Sequence, residues 1–362
     1  MKRALVIEGS GNLWGSERAL LDLLGSLHAL EVAVCCPAQM SLNGELERRQ
    51  IRTLPYFIYD LHKKSRRQRL QAAAGVLRAC VEFRPDVVYL NQCGSYKVTL
   101  PAATILDLPI VAHIRIFEDA AYLASQCPSP RRLRGIIAIS SAVETEIRRF
   151  RQLDTIRLHR LYDGYAPSAL ALQGVSAQER IVNRIACVGR LVPIKGQDLL
   201  ISALCKLKET GQTGECMFVG NGEDGFVHDL RQMAARGNPS FAIQWLGFVS
   251  DVLSLLHTCS VLVCPSHNEP LGRVILEAWD AGVVPVAFSG SGGAAEIVAA
   301  AQGGILYDEQ NPSSLAKALC EALELDPKGR EQLVNNGRNW MFRNCDPQTY
   351  GKAISTILTN AA

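Results

Sequence analysis

The chain has 362 residues, of which 48% are hydrophobic and 20% charged, and its formal net charge is +3. This composition excludes long disordered stretches, and no apolar run approaches the ~18–20 residues that span a bilayer. The length predicts two domains, because a single hydrophobic core stops growing near about 250–300 residues.

Alternating strands and helices are predicted from the first residues onward. The segment MKRALVIEGSGN has too short an apolar part for a signal peptide and predicts a first strand instead. Amphipathic patterns at 16–30 and 67–83 predict helices. The strands predicted in the first half are 3–8, 31–35, 53–58, 86–90, 110–114 and 136–139.

The second half repeats this alternation. Its predicted strands are 184–189, 215–219, 243–246, 261–264 and 284–288. Near-continuous apolar strands that alternate with helices are typical of parallel sheets covered on both faces. We therefore predict an α/β protein with two doubly wound, Rossmann-like domains. Ligands of such sheets bind beyond the carboxyl ends of the strands, so two domains facing each other would place the ligands in a cleft between them.

The apolar pattern weakens between the two halves. Residues 166–182 contain proline, glycine and small polar residues, and this composition predicts a linker. We therefore expect an amino-terminal domain over 1–165 and a carboxyl-terminal domain over 183–345. A last helix over about 346–362 is expected to pack back on the first domain.

The segment HNEPLGRVILEAWDAGVVPVAF, residues 267–288, predicts a helix that begins at the carboxyl edge of the second sheet. Pro270 suits the first turn and Gly282 the left-handed end, so the helix should run from about 270 to 281. The amino terminus of a helix attracts anions. Gly272 would let a phosphate approach the backbone closely.

Two glutamates of this segment, Glu269 and Glu277, lie eight positions apart. Eight helical residues span about 12 Å, close to the separation of the sugar and the ribose in a nucleotide diphosphate sugar. We expect each carboxylate to accept hydrogen bonds from hydroxyls of the ligand. The alternative is a pair of solvent-facing glutamates on an ordinary helix.

The segment CVGRLVPIKGQDLLI, residues 187–201, places two cations after another predicted strand. Arg190 directly follows the strand end at Gly189, and Lys195 lies five positions further on. An arginine can bind a diphosphate bidentately and a lysine adds a point charge. These residues predict a site that neutralises a diphosphate, with a surface loop carrying two basic residues as the alternative.

Three later segments place glycine after predicted strands, which allows close approach of a ligand to the backbone. They are VGNGED at 219–224, LGFVSD at 246–251 and FSGSGGAAEIV at 288–298. Together with the two preceding segments, they predict a ligand site along one edge of the second sheet.

The glycine loop after the first strand matches a dinucleotide-binding fingerprint only in part. Its third glycine position is Trp14, and no acidic residue clearly ends the second strand, which argues against a dehydrogenase. His113 and Arg115 lie at the carboxyl end of a predicted strand, where a functional role is expected. There is no Asp-x-Asp pair, so we expect no metal and no cofactor.

Basic side chains are concentrated in the first half. Residues 1–165 contain 23 Lys and Arg against 16 Asp and Glu, whereas the remaining residues have a net charge of −4. Two clusters contribute, HKKSRRQR at 62–69 and RRLR at 131–134. They predict an anionic partner such as a membrane surface, with a solvated helix face as the alternative. No nucleic-acid motif or aromatic platform accompanies them, so no nucleic acid is expected.

The twelve cysteines are scattered and form no Cys-x-x-Cys pair. A chain of this length does not need disulfides to hold its core. We therefore expect buried free thiols in a reducing compartment, which indicates a cytoplasmic location.

In order and spacing, four motifs resemble the carboxyl-terminal signature of the retaining glycosyltransferases of family four, which have the GT-B fold. The motifs are GRLVPIKGQDLLI, GNGE, HNEPLGRVILEAWDAGVVPVAF and SGGAAEIV, and the similarity covers roughly 187–308. The first half is more loosely similar. Its matches are the glycine loop, DVVYLNQ, His113, AISSAV at 138–143 and LYDGY at 161–165.

The resemblance implies a role for each matching position. His113, Arg190, Lys195 and Glu269 would be the catalytic residues, with His113 near the anomeric centre, and Glu277 would bind the ribose. The segment around Phe248 would contact the base. The other implied donor-binding residues are Gly11, Gly15, Gly189, Gly220, Asn221, Gly222, Pro270, Leu271 and Gly272. The acceptor-side residues are Trp14, Glu17, Asn91 and Arg115.

The resemblance also implies a reaction, in which a nucleotide diphosphate sugar gives its sugar to an acceptor hydroxyl with retention of configuration and without a metal. A sugar or lipid-linked acceptor is expected, in bacterial cell-surface polysaccharide or lipid-linked glycan synthesis at the inner face of the membrane. The alternatives are a small-molecule or natural-product glycosyltransferase, an epimerase-like or phosphorylase-like enzyme on the same fold, and a non-enzymatic sugar-binding protein.

Overall fold

The computed structural model describes three stretches of the chain, 1–56, 65–168 and 181–362. The end of the predicted strand 53–58, the start of the basic run 62–69 and most of the predicted linker 166–182 lie outside these described residues.

The first of two compact units contains Met1–Ala166 and Cys345–Ala362. Its strands β1 to β7 are, in chain order, Lys2–Ile7, Leu30–Pro37, Arg52–Tyr56, Val87–Leu90, Ile110–Ile114, Leu133–Ala138 and Arg157–Arg160. They form one parallel sheet in the order β3-β2-β1-β4-β5-β6-β7. The order changes direction between β1 and β4, and ligands of such sheets bind at this switch point.

Helices cover the faces of the first sheet. Helices α1 to α6 are Gly15–Leu24, Ser41–Arg48, Arg66–Phe83, Tyr96–Ile105, Glu118–Ser125 and Ser141–Ile147. The strands of the sheet interior are buried along nearly their whole length, which is why they are continuous apolar runs in the sequence.

The second unit, Pro167–Asn344, is built in the same way. Strands β8 to β13 are Arg184–Val188, Gly214–Val219, Phe241–Gly247, Val261–Cys264, Val284–Phe288 and Ile305–Tyr307. Their order is β10-β9-β8-β11-β12-β13, all parallel, with the switch point between β8 and β11. Helices α7 to α13 are Gln197–Leu207, Asp224–Gly237, Val252–His257, Arg273–Asp280, Gly293–Ala301, Pro312–Glu324 and Pro327–Asn344.

The last helix, α14 (Pro347–Ala361), belongs to the first unit. It begins at Pro347 after Asp346, whose carboxylate accepts a hydrogen bond from the backbone of Thr349 at 2.7 Å. Ile354 and Leu358 are completely buried and join the core that contains the apolar face of α1. The carboxyl terminus therefore completes the hydrophobic core of the amino-terminal half.

Each predicted strand coincides with an observed strand to within three residues over the described part of the chain. Two strands were missed, β7 and β13, each of which forms one of the two edges of its sheet. An edge strand pairs on one side only, and the side chains of β7 are largely half-exposed or exposed, so no apolar run marks it. The predicted helix 16–30 is too long, because α1 ends at Leu24 and Leu30 already starts β2.

The core of the second unit contains Trp279, which is completely buried on α10. Its indole Nε1 donates a hydrogen bond to the carbonyl of Gly303 at 2.7 Å, and its ring lies 6.0 Å from that of Trp340. A Cβ atom on Gly337 of α13 would overlap the indole ring. The close contact between α10 and α13 therefore requires glycine at this position.

We expect Gly337→Ala to destabilise the protein by ~1–3 kcal/mol, because the added methyl group overpacks the indole of Trp279. The matched control is Gly225→Ala in α8, where nothing lies within 4 Å of the added Cβ and alanine should be neutral or stabilising by up to ~1 kcal/mol. Calorimetric melting temperatures compare the two variants. Equal melting temperatures would contradict the predicted overlap.

Candidate functional site

An ion pair between Lys195 and Glu269 lies at the carboxyl edge of the second sheet. Nζ of Lys195 is 2.5 Å from Oε2 of Glu269, and the two side chains are 25% and 12% exposed. The hydroxyl of Ser266 donates to the same oxygen at 3.1 Å. Burial and the nearby charge of Arg190 lower the pKa of Lys195, but the Glu269 carboxylate more than offsets them and the net pKa is raised. The ammonium group therefore remains charged at physiological pH.

Both members of the pair follow strands that lie side by side. Lys195 ends a short turn, Pro193–Lys195, that follows β8, and Gly196 continues the chain with a φ of 69°. A Cβ atom on Gly196 would overlap the carbonyl of Pro265, which directly follows β11. Since β8 and β11 are parallel neighbours, their carboxyl ends bring these two loops into contact.

Glu269 lies in an extended segment and not, as the sequence predicted, directly before a helix. Its backbone N–H donates to the carbonyl of Ser291 at 2.6 Å, and its carbonyl accepts from the N–H of Gly293 at 2.8 Å. The chain at Glu269 therefore runs extended beside the loop that follows β12. Helix α10 begins only at Arg273, so the predicted start of the helix at Pro270 is wrong.

The backbone of Gly272 explains the later start of α10. Its φ of 84° is left-handed, and a right-handed helix cannot continue through it. A Cβ atom at Gly272 would also overlap Ala294 of α11, so this loop is packed directly on the next helix. At the other end of α10, Gly282 has a φ of 74°, which confirms the predicted left-handed end.

The predicted relation between the two glutamates therefore does not apply. Glu277 lies in the middle of α10 and is half-buried, whereas Glu269 precedes the helix in an extended segment. No continuous helix joins Glu269 and Glu277, so their separation is not the length of two helical turns. The role of each carboxylate therefore depends on its own contacts.

The glycine loop after β9 lies on the loop after β8. The carbonyl of Asn221 accepts a hydrogen bond from the backbone of Leu191 at 2.9 Å. A Cβ atom on Gly220 would overlap the carbonyl of Gly189, and one on Gly222 would overlap that of Leu191. These glycines are required for the contact between the two loops.

Two predicted donor-binding side chains are exposed near this contact. Arg190 is exposed, and its backbone carbonyl accepts a hydrogen bond from the amide of Gln197 at 2.8 Å. Phe248 follows β10 and is 57% exposed. Apart from Glu277 on α10, the predicted residues of the second unit thus lie on the loops that follow β8, β9, β10 and β11.

A buried polar network occupies the switch point of the first sheet. Glu8 directly follows β1, and Asn91 directly follows β4. The amide of Asn91 donates to Oε2 of Glu8 at 2.5 Å, and the backbone of Ser10 donates to Oε1 at 2.9 Å. Burial, followed by the charge of Glu17, raises the pKa of Glu8 to about 8. Glu8 is therefore protonated at neutral pH.

Glu17 anchors the loop that precedes α1. Its carboxylate accepts hydrogen bonds from the backbone of Trp14 at 3.0 Å and from the amide of Gln92 at 2.8 Å. Trp14 is 47% exposed and Gly15, the first residue of α1, is exposed. Gly11 is buried, and a Cβ atom there would overlap Met40, so this glycine supports the start of α2.

His113 and Arg115 are both buried in the first unit. Nδ1 of His113 lies 2.7 Å from the hydroxyl of Tyr89. Nη1 of Arg115 contacts both carboxylate oxygens of Asp163, at 2.6 and 2.5 Å, and Tyr350 of α14 donates to the same carboxylate at 3.2 Å. The guanidinium predicted on the acceptor side is therefore held inside the unit by an ion pair.

Sequence reasoning missed Glu8, and it included Tyr89, Gln92 and Asp163 only within the matching segments DVVYLNQ and LYDGY, without a role for any of them. A signal existed for Glu8, since it is the acidic last residue of the first predicted strand. Asp163 lies 48 positions from Arg115, and no local pattern joins the two.

Among the described residues, no group of three or more His, Cys, Asp or Glu side chains is arranged to hold a metal ion. In the same part of the chain, no helix combines the length and apolar character needed to cross a membrane. All twelve cysteines are free and only Cys127 is exposed, which confirms the predicted free and mostly buried thiols.

The two Rossmann-like units define a GT-B fold. The structure is similar to that of HepE from Anabaena in complex with UDP and glucose, with a TM-score of 0.82 over 99% of this chain and 100% of that chain, at 23% sequence identity. The sequence model of "Glycosyltransferase Family 4" matches residues 14–168, and that of "Glycosyl transferases group 1" matches residues 177–340. The chain belongs to this family of glycosyltransferases, which confirms the resemblance of its motifs.

Two curated relatives illustrate the family. A GDP-mannose-dependent alpha-(1-6)-phosphatidylinositol monomannoside mannosyltransferase of Mycolicibacterium smegmatis is 30% identical over 186 residues, covering 48% of this chain and 47% of the relative. A D-inositol 3-phosphate glycosyltransferase of Mycolicibacterium vanbaalenii is 28% identical over 290 residues, covering 70% and 64%. The chain spans about half the length of several curated relatives that it matches.

The raised pKa of Glu8 predicts a pH-dependent stability. Between about pH 4.5 and 8 the unfolded chain has released this proton while the folded chain retains it, so stability falls as pH rises. The slope from this group approaches ~1.4 kcal/mol per pH unit. Glu8→Gln should flatten this part of the profile, because glutamine cannot titrate and resembles the protonated carboxyl group.

Calorimetric melting temperatures at a series of pH values measure this slope. Glu31→Gln is the matched control, since Glu31 is exposed in the same unit and the variant should keep the slope of the wild type. If Glu8→Gln also keeps that slope, Glu8 is not the protonated group.

Proposed function

We propose that this protein is a retaining glycosyltransferase that moves a sugar from a nucleotide diphosphate sugar to an acceptor hydroxyl. The observation that carries the proposal is the pair Lys195 and Glu269, held 2.5 Å apart on loops that follow adjacent strands. The carboxylate can accept hydrogen bonds from hydroxyls of the sugar, and the ammonium group can neutralise the adjoining phosphate. The printed names of similar proteins include a GDP-mannose-dependent transferase and a complex with UDP and glucose, which supports such a donor.

In the proposed reaction the bond from the anomeric carbon to the phosphate oxygen breaks, and its electron pair leaves with the diphosphate. The acceptor oxygen bonds to the anomeric carbon on the same face, and its proton passes to a leaving phosphate oxygen. Charge therefore grows on the diphosphate in the transition state. Arg190, Lys195 and the amino terminus of α10 would stabilise this charge, so two protein cations and a helix dipole take the role that a divalent metal has in other transferases.

The rest of the donor would occupy the neighbouring loops of the second unit. Glu277, half-buried on α10, is our candidate for the ribose hydroxyls. Phe248 offers an exposed ring after β10, suited to contact with a nucleobase. The glycine loop at 220–222 would let the donor approach the backbone. We also propose that Gly11 and Gly15 of the first unit bind the donor.

The first unit would supply the acceptor-side residues, among them Trp14, Glu17 and Asn91. We propose a sugar or lipid-linked acceptor in bacterial cell-surface polysaccharide or lipid-linked glycan synthesis. The name of the M. smegmatis relative, with its phosphatidylinositol mannoside acceptor, supports a lipid-linked acceptor. The D-inositol 3-phosphate glycosyltransferase supports the alternative of a small-molecule acceptor. An epimerase-like enzyme would convert the donor without any acceptor, so product analysis with donor alone separates it from a transferase.

We expect Lys195→Ala to lower turnover at least ~100-fold, because the leaving diphosphate loses a cation in the transition state. The donor is first selected by thermal shift among UDP- and GDP-sugars, since a ligand at 100 times its Kd stabilises the fold by ~2.7 kcal/mol. Lys206→Ala, on the exposed last turn of α7, is the matched control and should keep wild-type turnover. Wild-type-like transfer by Lys195→Ala would refute the proposed site.

We further propose that the first unit binds an anionic membrane surface from the cytoplasmic side. Arg66, Arg67 and Arg69 are exposed in the first turn of α3, and the neighbouring Leu70 is 66% exposed. Cations are unfavourable at a helix amino terminus, because the helix dipole is positive there. An anionic surface would relieve this repulsion, and the exposed leucine could enter the interface.

The triple charge reversal Arg66→Glu, Arg67→Glu and Arg69→Glu should remove binding to vesicles of phosphatidylcholine and phosphatidylserine. Each arginine near such a surface contributes ~1 kcal/mol, and sedimentation with vesicles measures the loss. A charge-matched control reverses Lys317, Lys328 and Arg343, which are exposed in the second unit, and should still bind. Equal binding by both triple variants, or none by the wild type, would rule out this surface.

A further inference from the structure

Three buried polar atoms have no hydrogen-bond partner among the described residues and belong to the carboxyl ends of β4 and β5. They are Oδ1 of Asn91, Nε2 of His113 and Nη2 of Arg115. Arg115 joins the two strand ends, because its Nε donates to the carbonyl of Asn91 at 3.0 Å. Buried polar groups are nearly always satisfied, so this cluster of exceptions marks a place that a polar ligand would complete.

His113 has one ring nitrogen with a partner and one without. Nδ1 is 2.7 Å from the hydroxyl of Tyr89, which lies on the adjacent strand β4 and is completely buried. Burial, then the charge of Arg115, lowers the pKa of His113 well below its usual range, so the ring is neutral and carries one proton. The chemistry of the site therefore depends on which nitrogen carries that proton.

The donors around Tyr89 favour one of the two tautomers. Burial raises the pKa of Tyr89 to about 12, so its hydroxyl keeps a proton to donate. Arg115 can only donate, and Tyr350 donates to the Asp163 carboxylate, which also pairs with Arg115. The Tyr89 hydroxyl can therefore donate to Nδ1 of His113, an arrangement in which the ring proton is on Nε2.

We propose that Tyr89 is a positioning residue that fixes His113 in the tautomer with its proton on Nε2. His113 then offers a neutral N–H donor, already oriented and without a partner in the described part of the chain, to an oxygen of the sugar substrate. The substrate class rests on the proposed glycosyltransferase function, whereas the tautomer is a property of the protein alone. Tyr89 acts only through His113 and does not itself contact the substrate.

Nitrogen NMR of the protein labelled in its histidine rings tests the tautomer without any substrate. The signal of His113 is identified by its loss in His113→Gln. We expect a protonated Nε2 and an unprotonated Nδ1 in the wild type, and a mixture of tautomers in Tyr89→Phe. Tyr96→Phe is the matched control, because Tyr96 is equally buried and its hydroxyl has no partner among the described residues, so the wild-type tautomer should persist. A wild-type ring protonated on Nδ1 would overturn the proposal.

Kinetics then test whether the tautomer matters for transfer. Tyr89→Phe should lower kcat/KM roughly tenfold, the effect of one misdirected hydrogen bond, while the thermal shift caused by UDP or GDP is unchanged. In a His113→Gln background the amide supplies an N–H donor without a tautomer, so adding Tyr89→Phe should have little further effect.

Additive effects of the two substitutions would overturn the proposed route through His113, and so would a Tyr89→Phe variant with both the tautomer and kcat/KM of the wild type. If the wild type transfers no sugar from any donor, the glycosyltransferase proposal fails. The NMR result still decides whether Tyr89 fixes the ring of His113.

Discussion

Parallel strand pairing is the constraint on which the candidate site depends. All strands of a parallel sheet end at the same edge, and at the switch point the connections leave in opposite directions and open a crevice. β8 and β11 lie on either side of this point in the second unit, so Lys195 and Glu269, 74 positions apart, form a hydrogen-bonded pair. β1 and β4 have the same relation in the first unit, where Glu8 meets Asn91 across 83 positions.

The two units differ in how deeply their charged site residues are buried. At the switch point of the first unit Arg115 is buried and compensated by Asp163, and Glu8 is buried and neutralised by its own proton. A buried charge without such compensation is strongly unfavourable, so these groups are held in fixed positions. In the second unit the Lys195 and Glu269 side chains remain 25% and 12% exposed, whereas those of Arg115 and Asp163 are 5% and 3% exposed.

Much of the architecture could be predicted because buried parallel strands are apolar along their whole length. This pattern located every strand except β7, whose composition is mixed, and β13, whose three residues are too short a run to stand out. Lys195 and Glu269 could be predicted because each follows such a strand closely. The helix after Glu269 was placed three residues too early, since the left-handed backbone of Gly272 depends on its packing against Ala294.

The sequence by itself determined the alternation of strands and helices, the family motifs and the positively charged loops after the strands, because these are properties of neighbouring residues. Only the tertiary structure decided which polar groups meet. Tyr89 faces His113, Arg115 pairs with Asp163, and the protonation of Glu8 follows from its burial beside Glu17. These contacts join residues from separate strands and loops, and their energies depend on the exclusion of water, which is established only when the chain is folded.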